Sequence, residues 1–326
     1  MIRRIANALS RRAKKLWPRS RPVILMYHRL ADESFDPWGL AVHPTRFAQQ
    51  MEWLANNREL LPLVEFSRRH KAGTLPPEAV AVTFDDGYAC SAEVAAPLLN
   101  GLGIPATVFL PTALIRRGRE FWWDELERIV LESTRSDLPL NGKAVTLGPK
   151  VAGDRIWPPE AAPRTERQKA FHLFWSEFQS LGNGEREIIL DRLRLEAEIP
   201  LQPRHSHRPM TVPEARSLAP TTIEFGSHGL THPDLPGLSD AEKLDEIGGS
   251  VDDCFQLVGE VPRAFAYPYG RHDPKSEQMA AEAGYDCACT AESGFVGRSS
   301  GNFALPRLAV GDWDSHTFRQ RLLGAS

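Results

Sequence analysis

The sequence predicts an α/β protein built on a parallel β-sheet, and three observations carry that prediction. Seven short runs, 23–27, 79–84, 106–110, 222–226, 264–267, 286–290 and 304–308, are apolar on successive residues rather than alternate ones. That is how strands buried on both faces read. Helical patterns at 44–56, 92–102, 240–257, 274–283 and 315–323 separate most of these runs, the β–α alternation that parallel strands require. Helix punctuation agrees with the pattern: Ser239 stands at an N-cap, and Gly103 and Gly284 stand where helices stop. From these features alone the sheet is either open or closed into a barrel.

One interval breaks the rhythm. Between Leu110 and Thr222 the chain carries its own helical patterns, at 122–133 and 164–198, joined by a stretch rich in Pro and Gly around 148–163. A structureless loop of that length does not belong in a compact domain, so the interval reads as a helical insertion at about 113–209. Within it, Phe121, Trp122 and Trp123 either offer rings to a ligand or form the apolar face of a helix. Helical spacing points Trp122 and Leu126 the same way and favours packing.

The chain has 326 residues and is 42% hydrophobic, enough to bury a large core. Its formal charge of -3, from 39 basic against 42 acidic side chains, argues against a nucleic-acid partner. Cys90, Cys254, Cys287 and Cys289 match neither a paired zinc framework nor a dense disulfide scaffold. They read as reduced, buried thiols, with a Cys287/Cys289 chelate as the alternative. Residues 1–21 form a separate basic segment: it holds eight Arg and Lys side chains, the first acid of the chain is Asp32, and Ile2, Ile5, Leu9, Ala13 and Leu16 fall at helical spacing. A helix here would suit an anionic membrane surface, and a solvated basic tail is the alternative. The segment lacks a continuous apolar core and a small-residue cleavage site, so a secretory signal is not expected. The expected location is cytoplasmic with peripheral membrane contact through residues 1–20.

Chemistry concentrates where predicted strands end. Thr83-Phe84-Asp85-Asp86-Gly87 puts two carboxylates at the end of a buried run, the place where parallel α/β folds gather catalytic groups. Adjacent buried acids raise one another's pKa unless a cation is present. A helix cap or turn is the competing reading for an isolated Asp-Asp-Gly. A second run leads into Ser227-His228-Gly229-Leu230-Thr231-His232. In an extended chain the two histidine Cα atoms would lie roughly 13 Å apart, so the segment must turn, as Gly229 permits, before both can reach one metal. Two imidazoles, a carboxylate and open positions suit catalytic zinc, cobalt or iron. A third run ends in Tyr267-Pro268-Tyr269-Gly270, a tight turn that can present the Tyr269 backbone N–H to a developing oxyanion while its ring walls a pocket.

The TFDDG, SHGLTH and YPYG segments, in this order, resemble the polysaccharide deacetylase family, also called the NodB-homology or carbohydrate esterase 4 family. Leu25-Met26-Tyr27-His28-Arg29, followed by His43-Pro44 and Phe47, looks like the N-terminal part of its bacterial branch, so the similarity covers about 22–112 and 210–312. The resemblance implies a distorted (β/α)7 TIM-like barrel over 22–326 and hydrolysis of the N-acetyl group of an amino sugar, in a polysaccharide or a lipid-linked glycan. By position it implies Asp85 as general base, Asp86, His228 and His232 as ligands of a divalent metal (Zn2+, with Co2+, Ni2+ or Fe2+ as alternatives), and Tyr269 at the oxyanion. It also implies a place in cell-envelope or exopolysaccharide synthesis.

Two motifs depart from the family pattern. The arginine that steadies the base is replaced by Ala266, and the late histidine that supplies the acid has its counterpart in Leu305-Pro306-Arg307-Leu308, where no histidine occurs. Arginine is no acid near neutral pH, so Arg307 is expected to bind substrate or stabilise the base. His28 is the first candidate for the acid, ahead of His272 and His316, and is equally compatible with a packed structural role. An O-deacetylase or deformylase, or a glycan-binding protein descended from an enzyme, are the rival readings.

Overall fold

The computed structural model describes residues 20–33, 35–155, 157, 161–218 and 221–323. The expected basic helix therefore lies outside the described residues, save for its last positions. Seven parallel strands form a closed barrel: β1 (Val23–Tyr27), β2 (Ala79–Phe84), β3 (Ala106–Leu110), β4 (Ile223–Ser227), β5 (Ala264–Ala266), β6 (Cys287–Ser293) and β7 (Leu305–Ala309). Their order around the barrel is β1-β7-β6-β5-β4-β3-β2, and β2 pairs back to β1. The fold is thus a distorted (β/α)7 barrel, and closure answers the choice that the strand pattern left open.

Alternate strand residues divide between two cores, which is why each strand is apolar throughout. Val23, Leu25, Tyr27, Val80, Val82, Phe84, Val108 and Phe225 join the cluster shared with the helices. Ile24, Ala79, Ala81, Phe109, Ala264, Ala266, Cys287, Cys289 and Leu305 form a second cluster that draws on six strands. Only the lumen can bring so many strands together, and seven strands leave little room, so most of its side chains are small. A Cβ on Gly226 would collide with the Phe109 ring. Cys287 and Cys289 are lumen-packing thiols, and all four cysteines are free and buried.

Helices form where periodicity places them, with informative differences. The helix at Pro44–Asn57 starts on His43, whose ring accepts from the Thr45 N–H. The segment expected as one helix over 240–257 contains a wide turn, Asp245–Gly249, between Asp240–Leu244 and Ser250–Val258. Wide turns of this kind collect at functional sites, and this one carries Glu246 towards the histidine loop. Among the described residues no helix is long and apolar enough to cross a membrane.

The insertion is folded. Its helices are α1 (Trp122–Glu132), α2 (Glu166–Ser180) and α3 (Asn183–Glu196). The expected 164–198 helix breaks because Gly182 adopts an extended ψ of 153° and starts α3. Between α1 and α2 lies an antiparallel hairpin, Asp137–Leu140 with Lys143–Thr146. Arg167, 2% exposed, ties these pieces together by donating to the carbonyls of Val130 (2.7 Å), Arg135 (3.3 Å) and Gly148 (3.3 Å). Replacing it leaves buried carbonyls without donors. Arg167→Ala is expected to lower stability by about 2–4 kcal/mol, read from the midpoint of chemical denaturation, with the slope unchanged.

Candidate active site

Strand register sets the site. Tyr27 lies beside Phe84 across β1 and β2, so His28 and Asp85 leave the barrel at the same level. Leu110 lies beside Ser227 across β3 and β4, and the His228 N–H donates to the Leu110 carbonyl at 2.9 Å. A cleft of about 240 Å³ opens above these strand ends. It is lined by His28, Asp85, Asp86, His228, His232 and Tyr269, together with Trp38, Trp123 and Trp175.

Asp85 and Asp86 are both buried, at 2% and 3% exposure, but have different partners. Arg307 donates from Nη1 to Asp85 Oδ1 (2.6 Å) and from Nη2 to Oδ2 (2.7 Å), and its Nε donates to the Thr290 carbonyl (2.8 Å). Burial opposes the Asp85 charge, yet the pull of Arg307 and then of His228 outweighs it and holds the carboxyl below its ordinary range. Arg307 is fully buried in β7 and does not line the cleft. Of the two expectations for Arg307, binding substrate or stabilising the base, its position bears on the second: its contact is Asp85.

Asp86 has no such partner. Its Oδ1 is buried without a hydrogen bond, 3.6 Å from His228 Nε2 and 3.5 Å from His232 Nε2. Donor atoms of the three residues all lie within 4.8 Å of one another. Burial first, and then the charges of Asp85 and Asp124, push the Asp86 carboxyl well up, while burial pushes both histidines down. His228 Nδ1 faces the Ala266 carbonyl at 2.7 Å, which assigns the proton to Nδ1 and leaves Nε2 with a lone pair. One unpaired acid oxygen and two neutral imidazoles beside a second acid fit a divalent first-row cation, which would offset the cost of burying Asp86.

The backbone is strained where these groups converge. Asp86, His232 and Tyr269 have φ of 66°, 56° and 57°, a region that side chains other than glycine seldom adopt. Gly270, with φ of 68°, admits no Cβ, because one would collide with the Ala291 backbone. The histidine loop is pinned by Glu246, whose Oε2 accepts from the Leu230 N–H (2.7 Å) and the Thr231 N–H (3.0 Å). The Tyr269 ring packs 4.5 Å from that of His232.

His28 lines the cleft, and burial lowers its pKa to about 4, with the charge of Asp85 acting in the opposite direction. A neutral imidazole is a proton acceptor in the resting site. His272 instead pairs with Glu277 at 3.0 Å, and neither it nor His316 lines the cleft. Sequence reasoning missed Trp38, Trp175 and Glu246. Trp122 and Trp123 are both 4% exposed, as packing predicts, but Trp123 also borders the cleft.

The model of the family described as polysaccharide deacetylase matches residues 72–134 and 203–288. The chain belongs to the polysaccharide deacetylase family. The matched segments hold Asp85, Asp86, His228, His232 and Tyr269, and the gap falls inside the insertion. The poly-β-1,6-N-acetyl-D-glucosamine N-deacetylase of Escherichia coli K12 is 23% identical over 304 residues, covering 91% of this chain and 38% of that protein. The enzyme of the same name from Staphylococcus aureus is 31% identical over 122 residues, covering 33% of this chain and 42% of its own length. The chain thus spans about two-fifths of these relatives. Among solved structures, the Streptococcus pyogenes deacetylase PplD in complex with acetate superposes with a TM-score of 0.59 at 18% identity, over 93% of this chain and 98% of that one. IcaB from Ammonifex degensii gives 0.56 at 17%, over 94% and 97%. At these identities the structural likeness speaks to the fold.

Because Glu246 shapes the loop that presents both histidines without itself facing the cleft, its loss should act on metal affinity. Glu246→Ala is expected to weaken zinc binding about 10- to 100-fold, measured by competition with a chromophoric chelator.

Proposed function

We propose that the protein is a metal-dependent N-deacetylase acting on an N-acetylated amino sugar within a glycan, in exopolysaccharide or cell-envelope synthesis. The observation that carries this reading is the division of labour between two adjacent acids: Asp85 locked to Arg307, and Asp86 unpaired beside two imidazoles. A pure binding protein has no chemical use for that pairing. The names of the relatives favour a polymer of N-acetylglucosamine as substrate.

Asp86, His228 and His232 would hold the cation, zinc being the ion that best suits a mixed imidazole and carboxylate set. A divalent cation there supplies Lewis acidity to the acyl carbonyl and to the attacking water, so that even a weakly basic carboxylate suffices as base. Asp85, fixed by two parallel N–H donors, takes the proton from that water as it adds to the acyl carbon. The Tyr269 backbone N–H would donate to the acyl oxygen as negative charge develops, and the aromatic walls would exclude bulk water. Collapse of the tetrahedral carbon requires a proton on the departing nitrogen. His28, neutral at rest, would take on the proton that Asp85 removed from the water and pass it to that nitrogen, which frees the amine and acetate.

The barrel and insertion are read as one unit over 22–326, because Trp123 and Trp175 of the insertion border the same cleft as the barrel acids. The decisive assay follows acetate and formate release from N-acetylated β-1,6-linked glucosamine oligomers and from O-acetylated sugars. Acetate from the N-acetyl oligomers supports the reading; formate alone, or acetate from O-acetyl sugars alone, would sink it. Asp85→Asn is expected to lower kcat by about 10²–10⁴-fold with zinc content unchanged. His28→Ala should lower kcat by a similar factor of about 10²–10⁴ at full metal content, and retention of wild-type turnover would return His28 to a structural role.

A further inference from the structure

A second set of donor atoms sits behind the aromatic wall, and it belongs to no step described above. Asp124 and Glu127 stand one turn apart on α1, so both carboxylates leave the same helix face. His207 meets them from the short turn His205–His207, on the segment by which the insertion returns to the barrel. Each of the three residues is 2% exposed, and one ligating atom from each lies within 4.8 Å of the others.

The imidazole is the telling group. Its Nδ1 lies 2.9 Å from Ser206 Oγ, with Glu33 Oε1 at 3.7 Å, while its Nε2 is buried without any partner. A buried nitrogen left unpaired costs about 1–3 kcal/mol, so the fold has reason to supply an occupant. A hydroxyl and a carboxylate at the opposite nitrogen are the surroundings that fix the tautomer of a ligating histidine. Each acid has one oxygen engaged: Asp124 Oδ2 accepts from the Tyr88 hydroxyl at 2.8 Å, and Glu127 Oε1 accepts from Arg204 Nη1 at 3.1 Å. The opposing charges are Arg204, which also binds both Glu120 oxygens, Arg29, 3.5 Å from Asp36, Arg128, 3.5 Å from Glu120, and Arg155, 3.7 Å from Glu132. Glu33, Asp36 and Glu120 leave the surroundings able to accept a cation.

We propose that Asp124, Glu127 and His207 form a second divalent-cation site, separate from Asp86, His228 and His232, that takes a first-row metal such as zinc. Two carboxylates and one imidazole are a suitable donor set for such an ion. The ion clamps α1 to the returning segment. It thereby holds the cleft wall, because Trp123 on α1 donates its Nε1–H to the Tyr88 hydroxyl that in turn donates to Asp124.

The test is the zinc stoichiometry of the metal-free full chain, measured after desalting. Two equivalents are expected in the wild type and one in His207→Gln, with turnover per active-site zinc within about twofold of wild type on N-acetylated oligomers. Asp86→Asn should retain the equivalent that His207→Gln loses. A single equivalent in the wild type that His207→Gln retains overturns the proposal and leaves a buried ion-pair network, and so do two equivalents that persist in His207→Gln; a single equivalent that His207→Gln loses supports it. Should His207→Gln fail to fold, anomalous diffraction at the zinc edge of the wild-type protein decides: a peak at His207 supports the site, and its absence there overturns it. The metal count does not depend on the sugar, so failure of the proposed activity and failure of this site are separable.

Discussion

Two adjacent buried carboxylates at the barrel mouth are the constraint on which the rest of this site depends. Neither Asp85 nor Asp86 can remain ionised there without help, because burial and mutual repulsion both favour the protonated form. The fold treats the two differently. Asp85 receives a fixed countercharge, Arg307, delivered from β7 only because the sheet closes and brings β7 next to β1 and β1 next to β2. Asp86 has no arginine or lysine in contact, only the more distant charges of Arg307 and Arg29, and the imidazoles that face it are neutral. Barrel closure thus places a permanent cation behind one acid and leaves a gap suited to an exchangeable one beside the other.

The Asp85–Arg307 pair depends on room inside the barrel. Arg307 approaches Asp85 from β7, and Ala266 contributes its carbonyl to His228. The lumen explains why this is accommodated. Its neighbours are alanine, cysteine and glycine, and Phe109 lies under the guanidinium at 5.6 Å, so a long side chain entering from β7 has both space and a ring to rest on. The strained φ angles at Asp86, His232 and Tyr269 cost of order 1–3 kcal/mol each, and the surrounding barrel and the Glu246 hydrogen bonds are what keep them in place.

Much of this architecture was legible because buried parallel strands leave an unusual signature, successive apolar residues ending in Asp-Asp, His or Pro-Tyr. The strand positions and the convergence of Asp85, Asp86, His228, His232 and Tyr269 follow from it. What was not legible depends on distance in the chain. Nothing local in Leu305-Pro306-Arg307 says whether the guanidinium meets substrate or Asp85, since 222 residues separate the partners. Glu246 sits in a wide helical turn that periodicity reads as ordinary helix, and Trp38 lies in a loop without periodicity at all. The hairpin turn had a readable signal: Asn141-Gly142, with φ of 50° and 75°, is the dipeptide that tight hairpins prefer.

The insertion changes where specificity should be sought. The family match breaks off at 134 and resumes at 203, so the matched segments hold the acids and histidines while the intervening helices lie outside them. Those helices do not merely cover the barrel. Trp175 on α2 packs 4.0 Å from Trp38 and 4.7 Å from Trp122, and it lines the cleft opposite the acids together with Trp123. Burying these rings against one another fixes their positions at little further entropic cost, and a preformed wall orients a substrate more effectively than a mobile loop. The candidate catalytic groups thus lie at barrel strand ends, while three of the rings that line the cleft lie on segments outside the barrel. Chemistry and recognition can therefore diverge independently in this fold.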